Sequence, residues 1–496
     1  MILAQVIPSP EIDIEILLPM LFMGVGGLLI LTMTSVKKDL PGWFVTGWSV
    51  AACAGAIISA IVLWNQFGDD GASSTIANAV GFDGFSIFLT VVIASAVAMA
   101  SLIAHPYLER EELEGVELHV LLLLAGTGGL IMAFSNDLIV FFLGLETLSM
   151  AVYVLSAMHR RRIESQEAGM KYFVLGAFSS TFLLYGIALI YGATGTTNYI
   201  GIRRVLDSSI IVQDGLLLGG LALLIVGLVF KVGAVPFHSW TPDVYEGAPT
   251  PVVAFMASGV KAAGFAALLR ILTGTFSPLV DDWVPAIEVI AALTLLIGSM
   301  SAIVQVNVKR MLAYSSISHA GFILLGVLAA SDRGTAAALF YLFTYAFIVS
   351  GTMAGLTVIA GKGDGDFSFA SIRGLGRRKP VLAFAMMIFL FAQAGIPFTS
   401  GFVAKFGVIA AAVDSESYIV AGIAMISAVI GAFLYLRVLV SMVLEDPEDD
   451  VPAVEIPWTT GAVIGGAVAI TILFGIFPGL LDGFAQDALL ELTSRP

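Results

Sequence analysis

Four lysines, one glutamate and one histidine fall within runs of otherwise apolar residues, where each could gain or lose a proton. Lys231 closes the apolar run Asp214–Phe230 and opens Lys231-Val-Gly-Ala-Val-Pro236-Phe-His-Ser-Trp240-Thr-Pro-Asp243. Ionisable groups in lipid are costly and mark ion or substrate pathways. A helix broken at membrane depth, here at Pro236, must line a cavity or be covered by protein. Lys261 lies in Ser-Gly-Val-Lys261-Ala-Ala-Gly-Phe. Its small neighbours allow close helix approach. A buried amine that loses its water holds its proton less firmly, which is what a relay needs. The bland alternative, that Lys231 and Lys261 reach up to an interface, is weaker for Lys261, which sits mid-span.

Glu146 occupies the middle of Phe-Phe-Leu-Gly-Leu-Glu146-Thr-Leu-Ser-Met. A carboxylate there needs a cation, and Lys171 at the start of the next apolar run is the expected partner. The same pair could be a static ion pair that fixes packing. His319, in Tyr314-Ser-Ser-Ile-Ser318-His319, titrates near neutrality when unperturbed. Its hydroxyl neighbours favour a relay as much as a structural hydrogen bond. Lys405 follows a second break, Gln-Ala-Gly395-Ile-Pro397-Phe-Thr-Ser-Gly401-Phe-Val-Ala-Lys405. Interrupted helices in two halves of a chain point to a transport site.

The elements that must hold these groups are membrane helices. The 496 residues are 58% hydrophobic and 12% charged, with a mean hydropathy of +0.98. A spanning helix needs about 20 apolar residues. Fourteen spans are predicted, near 14–35, 42–64, 82–104, 117–135, 138–158, 169–193, 213–235, 251–273, 284–305, 309–330, 335–360, 381–408, 417–443 and 458–480. Basic loop residues set orientation. One side carries Lys37, Lys38, Arg110, Arg160, Arg161, Arg162, Lys309, Arg310, Lys362, Arg373, Arg377, Arg378 and Lys379; the other carries Arg203, Arg204, Arg333 and Arg495. That split predicts both termini outside. Arg270 and Arg437 lie towards span ends and are expected to snorkel.

Several function classes drop out. Cys53 is the only cysteine, which excludes an internal disulfide framework or a Cys-ligated cluster held by this chain alone. No metal spacing or phosphate-binding glycine motif is present. A net charge of −14 argues against nucleic acid. Glu11, Asp13 and Glu15 precede the first apolar run, so no cleaved signal peptide is expected.

The stretches 230–251 and Val308-Lys-Arg-Met-Leu-Ala-Tyr-Ser-Ser-Ile-Ser-His-Ala-Gly321 resemble the antiporter-like membrane subunits of proton-pumping NADH:quinone oxidoreductase, respiratory complex I. The resemblance covers about residues 80–440. Within that family the Gly395–Phe406 stretch resembles the N type. The M type is expected to carry glutamate at the position of Lys405. The L type has a long C-terminal lateral helix, whereas this sequence runs about sixteen residues past its last span.

The resemblance implies an all-α polytopic fold, with inverted five-helix repeats at spans four to eight and nine to thirteen and breaks in spans seven and twelve. The expected division is 1–110, 111–275, 276–445 and 446–496. It further implies a proton relay of Glu146, Lys231, Lys261, His319 and Lys405, with Lys171 as a secondary lysine and Pro236 and Pro397 at the breaks. No cofactor is expected on this chain. NADH, FMN, iron–sulfur clusters and quinone belong to partner subunits. M-type and K-type membrane neighbours, a peripheral arm and membrane lipid are the expected partners, in a bacterial plasma (inner) membrane. The rivals are a subunit of a multi-subunit cation/proton antiporter and a structural subunit whose buried charges only fix packing.

Overall fold

A computed structural model of the chain describes residues 12–37, 40–113, 115–208, 214–364, 367–447 and 455–492. Lys38 and Arg495 of the charge count lie outside them. Among the described residues, thirteen helices are long and apolar enough to cross a membrane. The other expected span, 381–408, is two short helices, Pro380–Ala394 and Ser400–Asp414.

Polar residues set the helix starts. Asp83 caps span three (Gly84–Glu111) in a reciprocal box with Ser86. Asp137 caps span five (Leu138–Ser156), Asn307 caps span ten (Val308–Leu328) and Ser331 caps span eleven (Asp332–Ala360). Each side chain accepts a backbone N–H that the first helical turn leaves unpaired.

Both predicted breaks are present. Span seven runs Asp214–Val232, turns at Gly233, and resumes at Trp240–Gly247. Gly233 has φ +72°, a backbone region in which a side chain is disfavoured. The Val235 N–H freed by the turn donates to Thr294 Oγ1 of span nine (Val280–Ile303) at 3.0 Å. Span twelve breaks at Gly395, φ +85°. At the first break Gly233, Ala234 and Val235 are buried among neighbouring helices, whereas Pro236, Pro397 and Phe398 are exposed.

Span eight, Thr250–Thr275, lies at the centre, and its apolar stretch is wholly buried. It is not one regular helix. Met256–Val260 and Leu269–Thr275 are π-helical, and Lys261–Leu268 between them is α-helical. Spans ten and eleven pack beside it and are also mostly buried. A short antiparallel hairpin, Ser73–Thr75 with Val80–Phe82, precedes span three.

Two charge expectations need correction. Arg270 does not snorkel. It is buried, donates to Asp83 Oδ1 at 2.7 Å and stands 5.1 Å from the Phe85 ring. The Asp83 carboxylate supplies its counter-charge, so the guanidinium has no need to reach water. Lys309, counted with the loop cations, is buried as well. Its Nζ donates to the Ala248 carbonyl at 2.7 Å and lies 3.8 Å from Asp364. Arg437 fits its expected place: it is half-buried, donates to the Ile303 carbonyl at 2.9 Å and covers the Phe369 ring.

Candidate functional site

Lys231 ends the first half of span seven with its side chain 5% exposed. Its Nζ donates to Ser149 Oγ of span five at 2.7 Å. Ser149 is three residues after Glu146, so the two share one helix face. Glu146 accepts a 2.5 Å hydrogen bond from Ser180 of span six (Ile163–Thr194). A cavity of about 10 Å³ is lined by Lys231, Ser149, Ser180 and Tyr153, among others, space on the order of one water. No direct ion pair joins Glu146 and Lys231; Ser149 and Ser180, which bond them, line the same cavity.

The expected pairing of Glu146 with Lys171 does not form. Lys171 Nζ instead lies 2.7 Å from Asp243 and 2.7 Å from Glu167. Lys171 sits two turns nearer the helix start than Ser180, and Asp243 comes within its reach because Trp240–Gly247 docks on span six.

Span eight connects the first station to the second. Gly264, one turn beyond Lys261, packs so closely that a Cβ there would stand 2.9 Å from Val232 and 3.5 Å from the Lys231 stem. Lys261, 4% exposed, donates to the Ser316 carbonyl at 2.5 Å and to its hydroxyl at 2.7 Å. Ser316 belongs to span ten, three residues before His319. The Tyr345 ring of span eleven bridges the next gap. It lies 5.6 Å from Lys261 Nζ and 4.6 Å from the His319 ring.

His319 is hydrogen-bonded on both ring nitrogens, to Tyr341 at 2.6 Å and Tyr435 at 3.1 Å. Tyr435 also bonds Ser315. Ser316 and Tyr345 link His319 to Lys261. Lys405, buried after the second break, donates to the carbonyls of Gln393 at 2.7 Å and Ala394 at 3.2 Å. The helix break frees those carbonyls from intrahelical partners. Phe322, one turn from His319, lies 4.7 Å from Lys405 Nζ.

The structure therefore brings Lys231, Lys261, His319 and Lys405 into one buried row, with Glu146 at its start. Among the described residues, the three lysines have no carboxylate within ion-pair distance. Hydroxyls and carbonyls hold them instead. Beyond Lys405, a cavity of about 850 Å³ runs from Asp332 and Asp482 to Ala404. No group of three or more His, Cys, Asp or Glu among the described residues could hold a metal ion.

Ser149, Ser180, Tyr341, Tyr345 and Tyr435 escaped the sequence reading. Tyr341 and Tyr345 are one turn apart on span eleven, and that spacing was the available signal.

The family model described as NADH:quinone oxidoreductase/Mrp antiporter, transmembrane, matches residues 135–431. A Trichlorobacter lovleyi protein named NADH-quinone oxidoreductase subunit N is 38% identical over 478 residues, 96% of this chain and 97% of its own. A Mycobacterium tuberculosis protein of the same name is 44% identical over 419 residues, 83% of this chain and 77% of its own. Among solved structures, a chain of respiratory complex I from Thermus thermophilus with bound aureothin is 30% identical, with a TM-score of 0.79, covering 94% of this chain and 99% of that one. A chain of the Mrp complex from Dietzia sp. matches with a TM-score of 0.85 at 22% identity, over 96% of this chain and 97% of that one, a likeness of fold alone.

Proposed function

Because the chain belongs to the subunit N family of the NADH-quinone oxidoreductases, we propose that it translocates protons through the buried row from Lys231 to Lys405. It is a multi-pass membrane subunit of respiratory complex I, set among that complex's other membrane subunits and its peripheral arm. Redox chemistry on NADH, FMN, iron–sulfur clusters and quinone takes place in those partners. Both termini face outward, following the Lys/Arg bias.

One observation carries the assignment of the row. Lys231, Lys261 and Lys405 are buried amines held by neutral oxygens, without a carboxylate partner among the described residues. A buried ammonium kept for packing alone would need its own counter-ion. These amines can give up a proton without leaving a carboxylate bare.

Glu146 sets the first step. A unit charge beyond ion-pair distance, at about 8 Å, is worth roughly 2 kcal/mol at an effective dielectric near 20. Moving one proton against 100 mV costs about 2.3 kcal/mol. Moving or neutralising Glu146 therefore alters the charge balance at Lys231 on the scale needed. The proton then passes from the Lys231 amine to Lys261, onward through Ser316 and the tyrosine-bound His319, and arrives at Lys405. Charging each lysine disfavours charge on the next, which drives release towards the outer cavity.

The test is NADH-driven proton uptake by reconstituted complex. Lys231→Ala and Glu146→Ala should leave the complex assembled and strongly lower the protons moved per NADH. Normal pumping in both would overturn the relay. Pumping that proceeds without added sodium or potassium separates this reading from a cation/proton antiporter.

A further inference from the structure

Trp240 opens the inner half of span seven and joins two neighbours. Its ring stacks on Tyr172 of span six at 4.5 Å between centroids. Its indole N–H donates at 3.2 Å to the Phe230 carbonyl, beside Lys231. Tyr172 meets Tyr153 edge-on at 4.8 Å, and Tyr153 lines the Lys231 cavity. All three rings are buried. They form a continuous wall of ring contacts running from the cavity at Tyr153 to Trp240.

An ionic cluster stands directly outside this wall. Lys171 adjoins Tyr172 in sequence, and Asp243 follows Trp240 by three residues. Their ion pair is 2.7 Å long. Arg310, from the first turn of span ten, reaches the same Asp243 carboxylate at 2.8 Å and Glu246 at 2.6 Å. Glu167 also contacts Lys171. The ion pair and the ring stack fasten the same two segments, span six and Trp240–Gly247, so they must part together. Asp243, Arg310 and Lys171 are 30%, 29% and 42% exposed. Solvent screens such pairs and makes them inexpensive to open.

We propose that Lys171, Asp243 and Arg310 form an ionic latch holding Trp240–Gly247 closed over the Lys231 cavity. Asp243 is then a positioning residue that governs when protons reach Lys231 from the basic side. This rests on the relay reading of Lys231. It also gives Lys171 a role other than partner of Glu146: it closes the route to the lysine that Glu146 controls.

The test reads access to the cavity rather than pumping. Ser179, which lines the cavity, is replaced by cysteine in the complete complex. A small, membrane-impermeant cationic thiosulfonate is added to inverted vesicles, and labelling of this subunit is followed by peptide mass. With the latch intact, labelling should be slow. Asp243→Asn should speed it several-fold, and Asp243→Glu should restore the slow rate. Lys171→Gln should also speed it, and carries the test if Asp243→Asn does not assemble. Parent-like labelling in Asp243→Asn and Lys171→Gln would overturn the latch. Because labelling does not depend on pumping, that result beside a non-pumping Lys231→Ala would remove the latch and leave the relay standing. Faster labelling beside a normally pumping Lys231→Ala would do the reverse.

Discussion

The centre and rim of this molecule treat buried charge in opposite ways. At the rim, Arg270 is matched to Asp83, and Asp364 is ringed by Arg110, Arg162 and Lys309 at 3.6–3.9 Å. Along the central row, among the described residues, the hydrogen bonds of Lys231, Lys261 and Lys405 go to serine hydroxyls and backbone carbonyls. A matched pair is stable in one protonation state, because removing either partner leaves the other exposed to a medium that cannot solvate it. An amine among neutral oxygens tolerates both states. The contrast separates charges that hold the fold from charges that can move.

Substitutions can break this distinction. The largest effect should come from Lys261→Met, which replaces an unmatched amine by an apolar chain of similar length. Proton translocation should fall to near background, while thermal stability of the assembled complex stays level or rises. A clear loss of stability would return Lys261 to the structural class. Asp83→Ala should do the opposite. It leaves Arg270 buried without its carboxylate and should cost about 3–5 kcal/mol, visible as a lower melting temperature or poor assembly. Gly264→Ala tests the contact between the first two stations. Its new methyl meets Val232, and overpacking of this kind costs roughly 1–3 kcal/mol. The protons moved per NADH should decline with it. The smallest effect belongs to Arg333→Ala. Arg333 and Asp414 form an exposed pair, and such pairs contribute about 0.2–1 kcal/mol, so stability and pumping should stay close to the parent.

Much of this was legible in the sequence. Long apolar runs fixed the spans because lipid leaves the backbone no other partner than itself. Pro236 and Pro397 located the breaks, and the types of Lys231, Lys261, His319 and Lys405 marked the row. What could not be read was the direction in which side chains point. Lys171 was read against Glu146 alone, and the docking of Trp240–Gly247 on span six brings Asp243 to it instead. Arg270 lay near a span end and fitted a snorkelling role, but its partner Asp83 is 187 residues away. Tyr341, Tyr345 and Tyr435 resembled ordinary aromatic core. Their roles depend on how spans eleven and thirteen (Tyr418–Val443) are rotated against span ten, which packing sets rather than local sequence.

The two π-helical stretches of span eight carry a consequence for how the chain can change over time. Each turn of π-helix accommodates a residue that an α-helix would not. The face presented by Lys261 is therefore set by a count of residues as well as by their identity. Removing a single residue from Met256–Val260 would rotate the helix beyond it by roughly 100°. Lys261 would turn from Ser316, or Arg270 from Asp83. Insertions and deletions break this register, so this span's length should vary less than that of any loop around it.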